Sequence, residues 1–255
     1  MYQIDREKVK QTFAAYTDRY DPSDPKIRLK TDHTYRVADL CDRIARTVPG
    51  TDPELAWLSG MLHDIGRFEQ IRRYNTFSDA QSVDHASFGA DLLFRDGLLD
   101  PYGSFDEDCR YILETSIRNH NRFRIDGDIT GICESYCHIL RDADKIDILR
   151  VNFDTPLEDI YNVSTEELKS SAVTAEVRQG FMEGHAVLRS VRKTPMDYLT
   201  GHISLVYELV YPESIRIMKE QGYLNRLLRF RSDNEDTALW FETMEEVLRN
   251  RGLIE

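Results

Sequence analysis

The stretch LSGMLHDIGRFEQ, residues 58 to 70, sets His63 directly before Asp64. An adjacent histidine and aspartate at a helix end is by itself a common polar pair. Here, though, four further residues of metal-ligating type recur along the chain: His33, His85, His120 and Asp144. Imidazole nitrogen mixed with carboxylate oxygen suits manganese, iron, cobalt, nickel or zinc. Two histidines and two aspartates would hold one such ion and leave positions open for water. Two further histidines could hold a second, with Asp64 shared between the two. A site of this kind generates hydroxide near neutral pH and clamps a phosphoryl group.

The elements that must bring these residues together are helices. Apolar residues recur at helical spacing, strand alternation is absent, and turn residues separate the segments, so the fold class is all-α. Residues 3–18 form an amphipathic helix. A long helix over 26–48 carries Val37, Leu40, Cys41, Ile44 and Val48 on one face and His33 in its first half. Pro53 opens the next helix, and Gly66 is suited to close it just beyond His63 and Asp64. Residues 79–96 form a helix with His85, 105–121 a helix with His120, and 129–151 the most apolar helix. On that last helix Cys133, Cys137, Leu140, Asp144, Ile148 and Val151 share one side, while Ile139, Asp142, Ile146 and Leu149 share the other. A carboxylate on an apolar face requires a cation or a metal, but periodicity leaves Asp142 and Asp144 as equal candidates. Helical segments follow around 164–183, 196–210, 212–220, 222–231 and 235–249. The expected organisation is a single all-α domain over 1–255, with a core at 26–150 and a helical extension over 151–255 packing on it.

Composition sets the outer limits. At 255 residues and 41% hydrophobic the chain can bury a sizeable core. A formal charge of −12 gives no general electrostatic reason to bind duplex nucleic acid or an anionic membrane. Four cysteines do not make a disulfide scaffold, and MYQIDREKVK has no apolar leader core. No run approaches the roughly 18 apolar residues of a membrane span, so a cytoplasmic protein without membrane partners is expected. Cys133 and Cys137 lack a second pair for zinc and read as packing residues. His138, His185 and His202 stand outside any motif. Phosphate-cradling glycine loops are absent, against a kinase or a nucleotide-dependent dehydrogenase.

In order, the pieces LKTDHTYRV, LSGMLHDIGRFE, DHASFGADLLF, IRNHN and RDADKIDIL resemble the HD superfamily of metal-dependent phosphohydrolases over about residues 26–150. The resemblance implies an HD-domain helical bundle with additional C-terminal helices and one or two divalent transition-metal ions. It implies His33, His63, Asp64 and, from the match at ADK, Asp144 as ligands. The middle pieces are similar to the two-metal branch that includes the HD-GYP cyclic-dinucleotide phosphodiesterases, which implies His85 and His120 for the second ion. NHNRFRIDGD lacks the paired histidines and the Gly-Tyr-Pro of that group, so cyclic di-GMP specificity is not implied. Arg67 stands where some single-metal nucleotidases of the superfamily carry a glutamate, which removes the basis for a 5′-deoxynucleotidase reading.

The expected activity is hydrolysis of a phosphoester on a nucleotide or small phosphorylated metabolite. Asp64 or a neighbouring carboxylate would help deprotonate the attacking water. Lys30, three residues before His33 and so on nearly the same helix face, and Arg67, three after Asp64, are the expected catalytic and substrate-binding cations. Arg118, Arg122 and Arg124 around His120 read as a solvated face. The competing expectation is a regulatory module that binds metal and nucleotide without turnover.

Overall fold

The computed structural model describes residues 3–255, and no strand occurs among them. The first helices are α1 (Arg6–Thr17), α2 (Pro25–Ala45), α3 (Pro53–Leu62), α4 (Ile65–Tyr74), α5 (His85–Phe94), α6 (Glu107–Asn119) and α7 (Gly131–Asp154). Aspartates start most of them. Asp5, Asp24, Asp52, Asp84 and Asp106 each accept main-chain N–H groups in the first turn of α1, α2, α3, α5 and α6, satisfying donors that have no partner inside the helix. Pro25 and Pro53 occupy first-turn positions where a missing N–H is harmless.

Chain contacts divide the molecule into two compact units, one ending at Asp144 and the other starting at Lys145, so the boundary lies within α7. In the first unit α2 lies against α3, α3 against α6, α4 against α5, and α5 against α6. Two glycines permit the closest of these approaches. A Cβ on Gly60 would sit 2.6 Å from the Ala38 Cα, which lets α3 lie directly on α2. A Cβ on Gly66 would sit 2.5 Å from the His85 carbonyl oxygen and 2.7 Å from the Gly89 nitrogen, which lets α4 lie on α5.

Gly66 therefore does not close a helix. α3 already ends at Leu62, the chain turns through His63 and Asp64, and Gly66 lies inside α4. Residues 79–84 also depart from the expected helix: a short 3-10 turn spans Asp79–Gln81, and α5 begins only at His85 behind its Asp84 cap. Phe68 of α4 is fully buried among Phe13, Tyr16 and Tyr20. Tyr16 also donates its hydroxyl to the Ile65 carbonyl at 3.1 Å, fastening α1 to the chain just past the His63–Asp64 turn.

The second unit contains α8 (Leu157–Tyr161), α9 (Thr165–Ser170), α10 (Ala175–Glu183), α11 (Pro195–Ile203), α12 (Pro212–Gln221), α13 (Tyr223–Leu227) and α14 (Glu235–Asn250). The single segment expected at 164–183 is two helices, with α10 ended by Gly184 in the left-handed conformation. Val177, Phe181, Leu199, Ile203, Met244 and Leu248 are among its buried residues. Thr194 and Asp197 form a reciprocal capping box at the start of α11. No helix among the described residues is long and apolar enough to cross a membrane.

Candidate metal centre

Asp64 occupies the N-cap position of α4, yet its side chain caps nothing. An aspartate there ordinarily contributes about 1 kcal/mol by accepting a first-turn N–H. Its carboxylate is turned instead toward the histidines of α2, α5, α6 and the α3–α4 turn. It is 2% exposed, and its Oδ1 has no hydrogen-bond partner. A buried oxygen without a donor is costly, and a metal ion held there would relieve it.

The two carboxylate oxygens face different groups. Around Oδ2 lie His33 Nε2 at 3.6 Å and His63 Nε2 at 3.5 Å, with 3.3 Å between the two nitrogens. Asp144 Oδ1 completes this set, 3.1 Å from His33 Nε2 and 3.9 Å from His63 Nε2. Around Oδ1 lie His85 Nε2 at 3.4 Å and His120 Nε2 at 3.6 Å, with 3.0 Å between those nitrogens. Atoms about 2.1 Å from a common ion lie about 3.0–3.4 Å apart in octahedral or tetrahedral arrangements. The observed sets are of that size or slightly wider. The structure thus brings together His33, His63, Asp64, His85, His120 and Asp144, with Asp64 as the only member common to both triads. Of the two candidate acids on α7 it is Asp144 that meets the histidines, whereas Asp142 is fully buried.

The tautomers are set by the far side of each ring. His63 Nδ1–H donates to the Gly60 carbonyl and His120 Nδ1–H to the Ile117 carbonyl, each at 2.7 Å, because a carbonyl can only accept. His85 Nδ1–H donates to Asp79 Oδ2 at 2.7 Å. When neutral, each of the three rings therefore turns an Nε2 lone pair inward. At 3.0 Å the lone pairs of His85 and His120 would repel one another without a cation between them, so the residues present fit a metal.

The protonation states agree. Burial works against ionisation of Asp64, but Lys30 and His63 more than offset it and hold the carboxyl well below its ordinary range. Asp144 is likewise held low, burial being outweighed by the hydrogen bond and charge of His33. Burial lowers His63, and burial with the nearby Arg67 guanidinium pushes His85 down to about 3. Neutral imidazoles and ionised carboxylates are the forms that take up metal.

Of the expected phosphate contacts, Lys30 donates Nζ to Asp64 Oδ2 at 2.6 Å and lies 5.5 Å from the Phe77 ring centre. Its side chain is 15% exposed, at the solvent edge of a largely enclosed site. Arg67 lies deeper. One terminal nitrogen donates to Gln70 Oε1, the Phe77 carbonyl and Asp79 Oδ1, while its buried Nε lacks a hydrogen bond 3.7 Å from Asp64 Oδ1. Two residues outside the expected set, Asp79 and Gln70, belong to the same network. Gln70 Nε2 lies 3.0 Å from Asp79 Oδ1. The only sequence signal of Asp79 is that TFSDAQSVDHA places polar residues just before a candidate ligand, at no spacing that marks a role, and Gln70 has none beyond its place at the end of LSGMLHDIGRFEQ.

The remaining polar residues are elsewhere engaged. Arg118 pairs with Asp91 and Glu114, and Arg122 with Asp126, as a solvated face requires. Arg124 stacks on Phe123. His138 lies beside Glu134, His185 beside Glu183, and His202 against Tyr161 and Asn152. Cys133 and Cys137 are buried with Ile129, against Ile112 and Ile125.

Among protein families, the HD domain matches residues 31–149. No curated protein matches the chain. Among solved structures, the crystal structure of a predicted HD superfamily hydrolase from an uncultured Thermotogales bacterium is 28% identical. The match covers 56% of this chain and 67% of that one, with a TM-score of 0.38.

Proposed function

From the match of the HD domain to residues 31–149, we propose that the chain is a metal-dependent phosphohydrolase cleaving a phosphoester of a nucleotide or small phosphorylated metabolite. The observation that carries this reading is Asp64, buried, ionised and uncapped, with one oxygen facing His33 and His63 and the other facing His85 and His120. Mixed imidazole and carboxylate donors at this spacing support two divalent transition-metal ions, drawn from manganese, iron, cobalt, nickel and zinc. Ions bound there would supply Lewis-acid polarisation of the phosphoryl group and lower the pKa of water.

The chain's own residues supply the rest. His63 and His120 are pinned by main-chain carbonyls, so the donors keep their directions as substrate enters. Asp64 or Asp144 would accept the proton released by the attacking water. Lys30, at the solvent edge, would move its ammonium from Asp64 to a nonbridging phosphoryl oxygen and stabilise the charge that builds there. Arg67 adds positive potential behind Asp64.

The test is elemental mass spectrometry of protein purified without chelator. Hydrolysis assays with each metal should cover nucleoside mono- and triphosphates, phosphodiesters and model phosphoesters. Close to two equivalents, falling toward one in His85→Ala, together with metal-dependent product, are expected. The reading fails if no metal is bound and no metal yields product.

A further inference from the structure

His63 and His120 each close their Nδ1–H on a carbonyl three residues back in their own helical turn, Gly60 and Ile117. His85 has no such carbonyl, because it is the first residue of α5. Its Nδ1–H is taken by Asp79 Oδ2 at 2.7 Å, across the loop that joins α4 to α5. Asp79 is itself held from α4: Oδ1 accepts from Arg67 at 2.9 Å and from Gln70 Nε2 at 3.0 Å. Asn121 Nδ2 approaches Oδ2 at 3.4 Å and donates to Asp84 at 2.8 Å. Gln70 is fully buried and also reaches Ser82 Oγ at 2.9 Å and the Val83 carbonyl at 3.0 Å, so the loop is tied at the 3-10 turn and just after it.

We propose that Asp79 is a positioning residue that fixes the tautomer and direction of His85 as a ligand of the second metal ion, with Arg67 and Gln70 holding Asp79 in place. The proposal rests on the two-ion reading given above. A charged acceptor behind an imidazole makes a stronger hydrogen bond than a neutral carbonyl and raises the basicity of the opposite nitrogen. Of the three rings whose outer partner is described, His85 alone has a carboxylate there. The affinity of the second ion therefore depends on a residue outside the ligand set. Because α4 follows Asp64 directly and also carries Arg67 and Gln70, one rigid element sets both the shared carboxylate and the orientation of His85.

The test titrates metal-free full-length protein with Mn²⁺ or Co²⁺, comparing wild type, Asp79→Asn, Asp79→Ala and Ser82→Ala. Ser82→Ala removes a loop anchor without touching His85. In Asp79→Asn the second equivalent is expected to weaken roughly 10- to 100-fold, with the first unchanged and Ser82→Ala close to wild type. Imidazole ¹⁵N spectra of the metal-free proteins should show His85 as the Nδ1–H tautomer in wild type and shifted from it in Asp79→Asn. Two equally tight ions in both Asp79 variants would overturn the role of Asp79 while leaving the two-ion site intact. Equal weakening in Ser82→Ala would overturn it in favour of general loop order. A single ion in wild type, unaffected by His85→Ala, would overturn the two-ion reading and this inference with it.

Discussion

Each oxygen of Asp64 faces its own pair of imidazoles, so substitution of this one residue should act on both ions at once. Asp64→Asn keeps the volume but loses the charge, and metal content is expected to fall toward zero equivalents, where His85→Ala removes only one. Retention of one tight ion in Asp64→Asn would separate the two sets and contradict a shared carboxylate. On the proposed reading Lys30 acts on substrate rather than on metal. Lys30→Ala is expected to lower kcat roughly 10²- to 10³-fold, the scale of a lost transition-state donor, with metal content unchanged. A kcat equal to wild type would remove Lys30 from the phosphate contacts. Lys30 was legible from its spacing to His33, because three residues on a helix keep two side chains on one face. Asp79 was not, because its partner His85 is reached across an irregular loop whose path has no period.

At the scale of elements, the site depends on helices coming closer than ordinary side chains allow. Gly66 and Gly89 meet where α4 crosses α5, and that crossing sets the separation of Asp64 from His85. Gly66→Ala would drive its Cβ into main-chain atoms of α5, and it is expected to destabilise the protein by about 1–3 kcal/mol, read as a lower urea midpoint. It should also weaken the second ion more than the first. An unaltered midpoint would show that α5 shifts freely and that the contact does not set the geometry. Sequence alone suggested Gly66 as a helix stop because glycine after an apolar run commonly plays that part. The structure uses the missing side chain instead. Likewise the apolar spacing over 79–96 extends through a 3-10 turn, since period reports which residues face the core and not whether every residue between them is helical.

Two predictions belong to the whole molecule. Metal bound only by the folded chain stabilises it by mass action, about 2.7 kcal/mol for one ion at 100 times its Kd. Addition of a chelator is therefore expected to lower the melting temperature of wild type and to leave Asp64→Asn almost unaffected. Equal shifts in both proteins would point to an effect unrelated to the site. The second concerns pH and the unit that starts at Lys145. Its His202 donates Nδ1–H to Asn152 Oδ1, which also accepts the Tyr161 hydroxyl, and Asn152 Nδ2 donates to the Ile148 carbonyl. Burial, with Arg192 and Arg189 nearby, pushes His202 down to about 3, against about 6.5 in an unfolded chain. Between these values the unfolded chain binds a proton that the folded one excludes. Stability from this residue is thus complete above about pH 6.5 and is lost at about 1.4 kcal/mol per pH unit as pH falls toward 3. The chain has two tryptophans, Trp57 and Trp240, so Trp57→Phe leaves Trp240 to report this unit. Its urea midpoint should fall below pH 6.5, and His202→Gln should flatten that fall. An equally steep fall in His202→Gln would assign it to other groups.

The sequence by itself determined the all-α class, the approximate helices and the order of the ligand candidates, because helical period and helix caps are local properties written in neighbouring residues. Its periodicity left Asp142 and Asp144 as equals, since both faces of α7 are apolar, and only the resemblance at ADK favoured Asp144. The tertiary structure supplies the physical ground by setting His33 3.1 Å from Asp144. It alone also decided that Asp64 forgoes its cap, that two glycines bring the ligand-bearing helices together, and that Asp79 stands behind His85. Each of these depends on where separate helices cross, and crossings are fixed by packing among distant residues rather than by the pattern within any one segment.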